Sequence, residues 1–139
     1  MSFDYQIDVA RRLVISRGWG ALTDQDLLSH AASLAKDPRF QRDMRQLVDF
    51  REVARIEFAT GTIHRMVGVN PFGAGARRAF VLSSAGAYGM ARMYQSLSDP
   101  SPDKVELFRE LEPALAWLGL TDDASEVRAV LAAIRPSPP

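Results

Sequence analysis

Two hydrophobic periods alternate along this chain, and their alternation restricts the fold more than any other feature. Residues 3–8 (FDYQID) and 12–18 (RLVISRG) alternate apolar and polar side chains around a short turn at Val9 to Arg11, the period of a hairpin with one buried face. Thr23 then opens TDQD, where a hydroxyl can cap orphan amides and two Asp sit at the positive end of a helix dipole. A helix to about Lys36 follows, with Leu27, Leu28, Ala31, Leu34 and Ala35 gathered on the side that meets a sheet. The pattern recurs: an apolar run at Met44 to Phe50, a helix from Thr60 to Val69, a run at Arg78 to Ser83, and a helix from about Ala85 to Leu97. A short strand at Val105 to Arg109 and a helix from Glu110 to Leu118, stopped by Gly119, complete the alternation.

Strands separated by helices imply right-handed crossovers, hence an α/β fold with a mostly parallel sheet of about five strands and an antiparallel N-terminal hairpin at one edge. A last helix, Asp122 to Ile134, begins after a Thr121 cap and carries Val127, Val130, Leu131 and Ile134 as a stripe. That stripe either folds back on its own domain or packs on the same helix of a second copy in a homodimer. A chain of 139 residues is of one-domain size, so we expect one domain over 1–135, with a Pro-rich tail at 136–139 too poor in amides and apolar surface to order.

Seventeen basic and seventeen acidic side chains cancel, which argues against nucleic acid or an anionic membrane surface as partner. The absence of Cys removes thiolate nucleophiles, thiolate zinc sites and disulfides together. The opening MSFDYQIDVARR does not read as a signal peptide, and no later run approaches the ~18 apolar residues of a membrane span, so the expected location is the cytoplasm.

Four segments carry a resemblance: the opening hairpin, LVDFREVARIEF, RRAFVLSSAGAYGMARMYQ and VELFRELEPALAWLGL. Over roughly residues 3–120 the chain resembles the SpoIIAA-like group of small bacterial proteins, related in fold to STAS domains (sulfate transporter and anti-sigma factor antagonist) and to the Sec14 lipid-binding fold. The resemblance implies a fold rather than a chemistry. Anti-sigma antagonists of the STAS type carry a motif like D-x-S-x-V-x-x-I-D-S-S-G with a phosphorylatable Ser, and Asp49, Val53, Ile56 and Glu57 are similar to its D, V, I and D. Phe58 and Ala59 stand at its Ser-Ser positions, so the phosphoswitch does not carry over. Thr60 and Thr62 are nearby hydroxyls, Thr60 reading as a helix cap.

No motif speaks for a metal or a cofactor. His30 and His64 each fall off the apolar centre of a helix and so belong at a boundary, without a ligating partner at i+4. Gly73 and Gly75 in NPFGAGARR precede a strand, whereas a phosphate loop follows one, so they read as a turn. The adjacent pairs Arg11–Arg12 and Arg77–Arg78 enter strands and read as solvated edges. Ser83 and Ser84 lie where an open α/β sheet presents its crevice, but no G-x-S-x-G elbow exists, and capping is the plainer role for Ser84.

One rim is the place for a ligand: Trp19 after the second strand, Phe50 and Arg51 after the third, and Ser84, Tyr88 and Arg92 after the fourth. Core and rim packing is the plain alternative for the same six residues. Three functions follow for comparison. A non-enzymatic regulatory or protein-interaction module of STAS-like type fits the absence of convergent catalytic groups. A small apolar ligand or lipid carrier fits the Sec14-like resemblance, with Tyr88, Met90 and Met93 as lining. A hydrolase would need Ser84 within reach of His64.

Overall fold

The computed structural model describes residues 2–73, 75–98 and 104–134. The tail at 136–139 lies outside the described residues. Five strands form one sheet in the order β1-β2-β3-β4-β5: β1 Phe3–Asp8, β2 Leu13–Thr23, β3 Arg45–Glu57, β4 Arg77–Val81 and β5 Lys104–Phe108. β1 pairs antiparallel with β2, and every later pairing is parallel. The three parallel crossovers run through α1 Asp24–Lys36, α2 Thr60–Gly68 and α3 Ala85–Ser98. They all advance in one direction across the sheet, and a constant right hand therefore places all three helices on one face.

The other face is covered by α4 Leu111–Trp117 and, after a short 3-10 turn at Thr121–Asp123, by α5 Ala124–Ala133. The period of two sorts the strand residues between these layers. Leu13, Ile15, Leu47, Ala79 and Val81 pack under Leu111, Leu115, Val127, Leu131 and Ile134. Val48, Phe80, Leu82 and Val105 meet Leu27 of α1, Ile63 of α2 and Ala87, Ala91 and Tyr94 of α3. The stripe of the last helix is thus spent on its own sheet.

Local signals set the helix ends. Thr23 and Asp26 form a reciprocal capping box at the start of α1. Gly119, at φ +75°, lets α4 close in a Schellman turn, with the Leu120 N–H on the Leu115 carbonyl at 2.8 Å and the Gly119 N–H on Ala116 at 3.0 Å. Two caps differ from expectation. Thr60 is the first residue of α2, whose cap position is Ala59 without a side-chain bond. Thr121 starts the 3-10 turn, and α5 likewise has no side-chain cap.

Arginines on the strands complete the helix C-termini. Arg17 NH1 donates to the carbonyls of Leu131 and Ile134 at 3.0 and 3.1 Å, Arg45 donates to Leu118, and Arg77 donates to Trp117 at 2.9 Å. Each cation lies at the negative end of a helix dipole and satisfies carbonyls that the helix cannot. Arg77 does so while remaining exposed, as one member of an adjacent pair in a strand must, whereas its neighbour Arg78 is buried.

β2 and β3 are longer than the sequence pattern indicates. Trp19 to Thr23 pair with Glu52 to Glu57 beyond the point where β1 and β4 stop. The two strands continue as a ribbon, bent by register shifts at Arg17/Trp19 and Gly20/Ala21. Gly20 has φ +62°, a conformation that side-chain-bearing residues resist, which explains a glycine at that bend.

Candidate functional site

The ribbon overhangs the face covered by α1, α2 and α3, and beneath it the packing is incomplete. A narrow cleft, with about 80 Å³ of cavity volume behind an open mouth, runs along β3 and β4 between the sheet and these three helices. Its walls are almost wholly apolar: Leu22, Val53 and Ile56 from the ribbon, Ile63 and Met66 from α2, and Ala87, Met90 and Ala91 from α3. Ile56, Phe58, Met66 and Met90 are half-buried and mark the mouth. The flexible methionine side chains allow this opening to change shape at little cost.

The opposite end is polar and closed. Gln46, Arg78, His30 and Tyr94, each at most 8% exposed, wall it off. Their bonds form one chain across five elements. Arg78 donates from Nε to Gln46 Oε1 at 2.9 Å and from NH1 to Tyr94 Oη at 2.7 Å and Asn70 Oδ1 at 3.3 Å. Gln46 Nε2 donates to Ser16 Oγ at 3.0 Å, and Ser16 Oγ lies 2.9 Å from His30 Nε2. The guanidinium also lies over the rings of Phe72, Phe80 and Tyr94, at 4.5, 5.4 and 5.4 Å from their centroids. Aromatic faces favour a cation there and offset part of its desolvation.

His30 is buried, not at the boundary that helical spacing indicates. It follows Leu27 by three positions and so turns with it toward the sheet, where its ring stacks on Phe3 at 3.9 Å. Burial, reinforced by the charge of Arg78, lowers its pKa from 6.5 to about 3, so the imidazole is neutral near pH 7. His64 is exposed on α2.

The expected rim does not come together as one site. Phe50 lines the cleft, but Arg51, the next residue of the same strand, points to the opposite face, as strand geometry requires. Trp19 also packs on that face, against the layer of α4 and α5. Tyr88 packs beside the cleft-side core, with the Arg109 guanidinium 4.3 Å above its ring, and Arg92 is exposed on α3. Ser84 Oγ accepts from the Ala87 N–H at 3.1 Å and so caps α3. Ser84 and His64 share no hydrogen bond among the described residues. Of the proposed lining, Met90 is in the wall, and Met93 packs behind it.

A second recess lies across the sheet, lined by Arg17, Asp49, Arg51, Leu111, Glu112, Arg128, Leu131 and Ala132. Its charges are matched internally. Asp49 accepts from Arg51 Nε and NH2 at 2.9 Å each, Arg128 pairs with Glu112, and Arg17 pairs with Glu52 at 2.8 Å. Asp49, similar to the first residue of the STAS-type motif, is therefore committed to Arg51. Phe58, at a Ser position of that motif, helps line the cleft.

Sequence reasoning missed Arg78, Gln46, Ser16 and His30, because polar residues in strands and at helix boundaries were assigned to water. One signal was available: Ser16, Gln46 and Arg78 each fall in phase with buried apolar neighbours two residues away, namely Val14, Val48 and Phe80.

No family model matches the chain, and no curated protein matches it. Among solved structures it is similar to the crystal structure of an uncharacterized protein of the DUF3478 family from Shewanella loihica PV-4, described as having a SpoIIAA-like fold. The match covers 84% of this chain and 94% of that one at 15% identity, with a TM-score of 0.56. At that identity the likeness concerns backbone architecture alone, and it leads to one conclusion: this chain has a SpoIIAA-like fold.

Proposed function

We propose that the chain is a non-enzymatic module of STAS-like type that binds a small apolar molecule in the cleft between the sheet and α1, α2 and α3. The observation that carries this reading is the cleft itself. Concave, mostly apolar spaces with a few placed polar groups are the usual form of small-molecule sites. A well-packed interior would close such a gap, since unfilled space forfeits dispersion contacts. The internally paired charges of the second recess and the capping role of Ser84 favour binding over catalysis. A cytoplasmic location accords with this reading; among the described residues no helix is long and apolar enough to cross a membrane.

The experiment is native mass spectrometry of the protein purified from its own source. A small molecule retained by the folded chain and lost on denaturation supports the proposal. A second reading, a protein-interaction module, draws on the ribbon: among the described residues, 52–57 pair with β2 on one side only, which leaves an edge for strand addition. Co-purification of a polypeptide with an empty cleft would favour that reading and count against ligand carriage.

A further inference from the structure

Resting on the cleft as a ligand site, we infer that its ligand is a neutral apolar molecule, not a carboxylate-bearing amphiphile that inserts its head. An arginine at the closed end of an apolar cleft first suggests a fatty-acid type of ligand, head inward. The hydrogen bonds on that arginine argue otherwise. Nε is engaged by Gln46, and NH1 is engaged by both Tyr94 and Asn70.

The next polar group is engaged in the same way, because Gln46 passes its own amide donor to Ser16, which is in contact with His30. A carboxylate approaching Nε or NH1 of Arg78, or the Gln46 amide, would have to break bonds already made. His30 offers no second cation, since burial keeps it neutral well below pH 7. The rest of the wall supplies Leu, Val, Ile, Phe, Met and Ala side chains, against which an ionised group would lose its hydration without replacement. A neutral ligand meets neither penalty and gains by covering apolar surface. The polar chain thus serves as a fixed partition that joins α1, β2, β3, β4 and α3 and sets how deep the cleft runs.

The test uses the full chain and two probes of matched length, octan-1-ol and octanoate, each displacing the neutral apolar dye Nile red at about pH 7.5. The alcohol is expected to compete at least about tenfold more strongly than the carboxylate. Equal or stronger competition by octanoate overturns the inference while leaving the cleft as a binding site. Failure of Nile red and of both probes to bind overturns the cleft reading itself, and the inference with it. Tyr94→Phe provides the second arm: it deletes the oxygen that occupies one Arg78 N–H while keeping the ring. Octanoate should then gain several-fold relative to octanol. An unchanged ratio in Tyr94→Phe would show that the committed bonds of Arg78 are not what excludes the acid.

Discussion

Acidification should destabilise this protein through His30 in a window that its carboxylates do not dominate. The folded-state pKa of His30 is about 3 against an ordinary 6.5, so between these values the unfolded chain binds a proton that the folded chain refuses. Stability is therefore intact above about pH 6.5 and falls as pH drops, with a limiting slope of about 1.4 kcal/mol per pH unit. Integrated from about pH 6 to about pH 4, the loss from this one group is about 2.5 kcal/mol. The cap carboxylate Asp26, whose pKa is lowered by its bonds to Thr23 and Ser2 against the opposing effect of burial, acts in the same direction but mainly below about pH 4. Urea denaturation across this range, repeated on His30→Gln, isolates the histidine. Glutamine does not titrate, so whatever it costs in packing on Phe3, its stability profile should be flatter by that amount. Parallel profiles for the two proteins would refute the claim that burial holds His30 neutral.

Two further substitutions separate packing from surface roles. Leu115→Ala removes a side chain 2% exposed under α4 and should cost about 2 to 5 kcal/mol, read as a Tm lowered by more than about 5 °C; a smaller shift would mean that α4 is not seated on the sheet as described. Ser84→Ala deletes the α3 cap and should cost about 0.5 to 2 kcal/mol while leaving Nile red affinity unchanged. Loss of dye binding at unchanged Tm would give Ser84 a part in the site.

Much of the fold was legible because local chemistry and periodicity agreed there. The Thr23–Asp26 capping box, the Gly119 stop and the alternation of strand and helix each rest on neighbours in sequence. The ribbon was not legible. Gly18 and Gly20 interrupt the alternation of β2, and Arg51, Glu52, Arg55 and Glu57 give the far half of β3 the look of a solvated loop, although Val53 and Ile56 in the same stretch line the cleft. Phe50 and Arg51 part for a related reason. Grouping residues by strand end ignored that Phe50 and Arg51 must face opposite layers, one toward the cleft and one toward the charged recess. Arg78 misled most, since a charged residue in a strand reads as surface until its partners are known. Those partners are Gln46, Asn70 and Tyr94, on other elements of the fold.

The claim that the cleft is a binding site is tested most directly by filling it. Ala91 is buried in the wall on α3, and a phenylalanine there projects into the empty volume and competes with any occupant. The decisive measurement is the Kd for Nile red of Ala91→Phe against the unaltered chain, with Tm recorded on both. An affinity at least about tenfold weaker, with Tm lowered by no more than a few degrees, is the predicted result. Equal affinity in the folded variant would place the dye elsewhere and contradict the account.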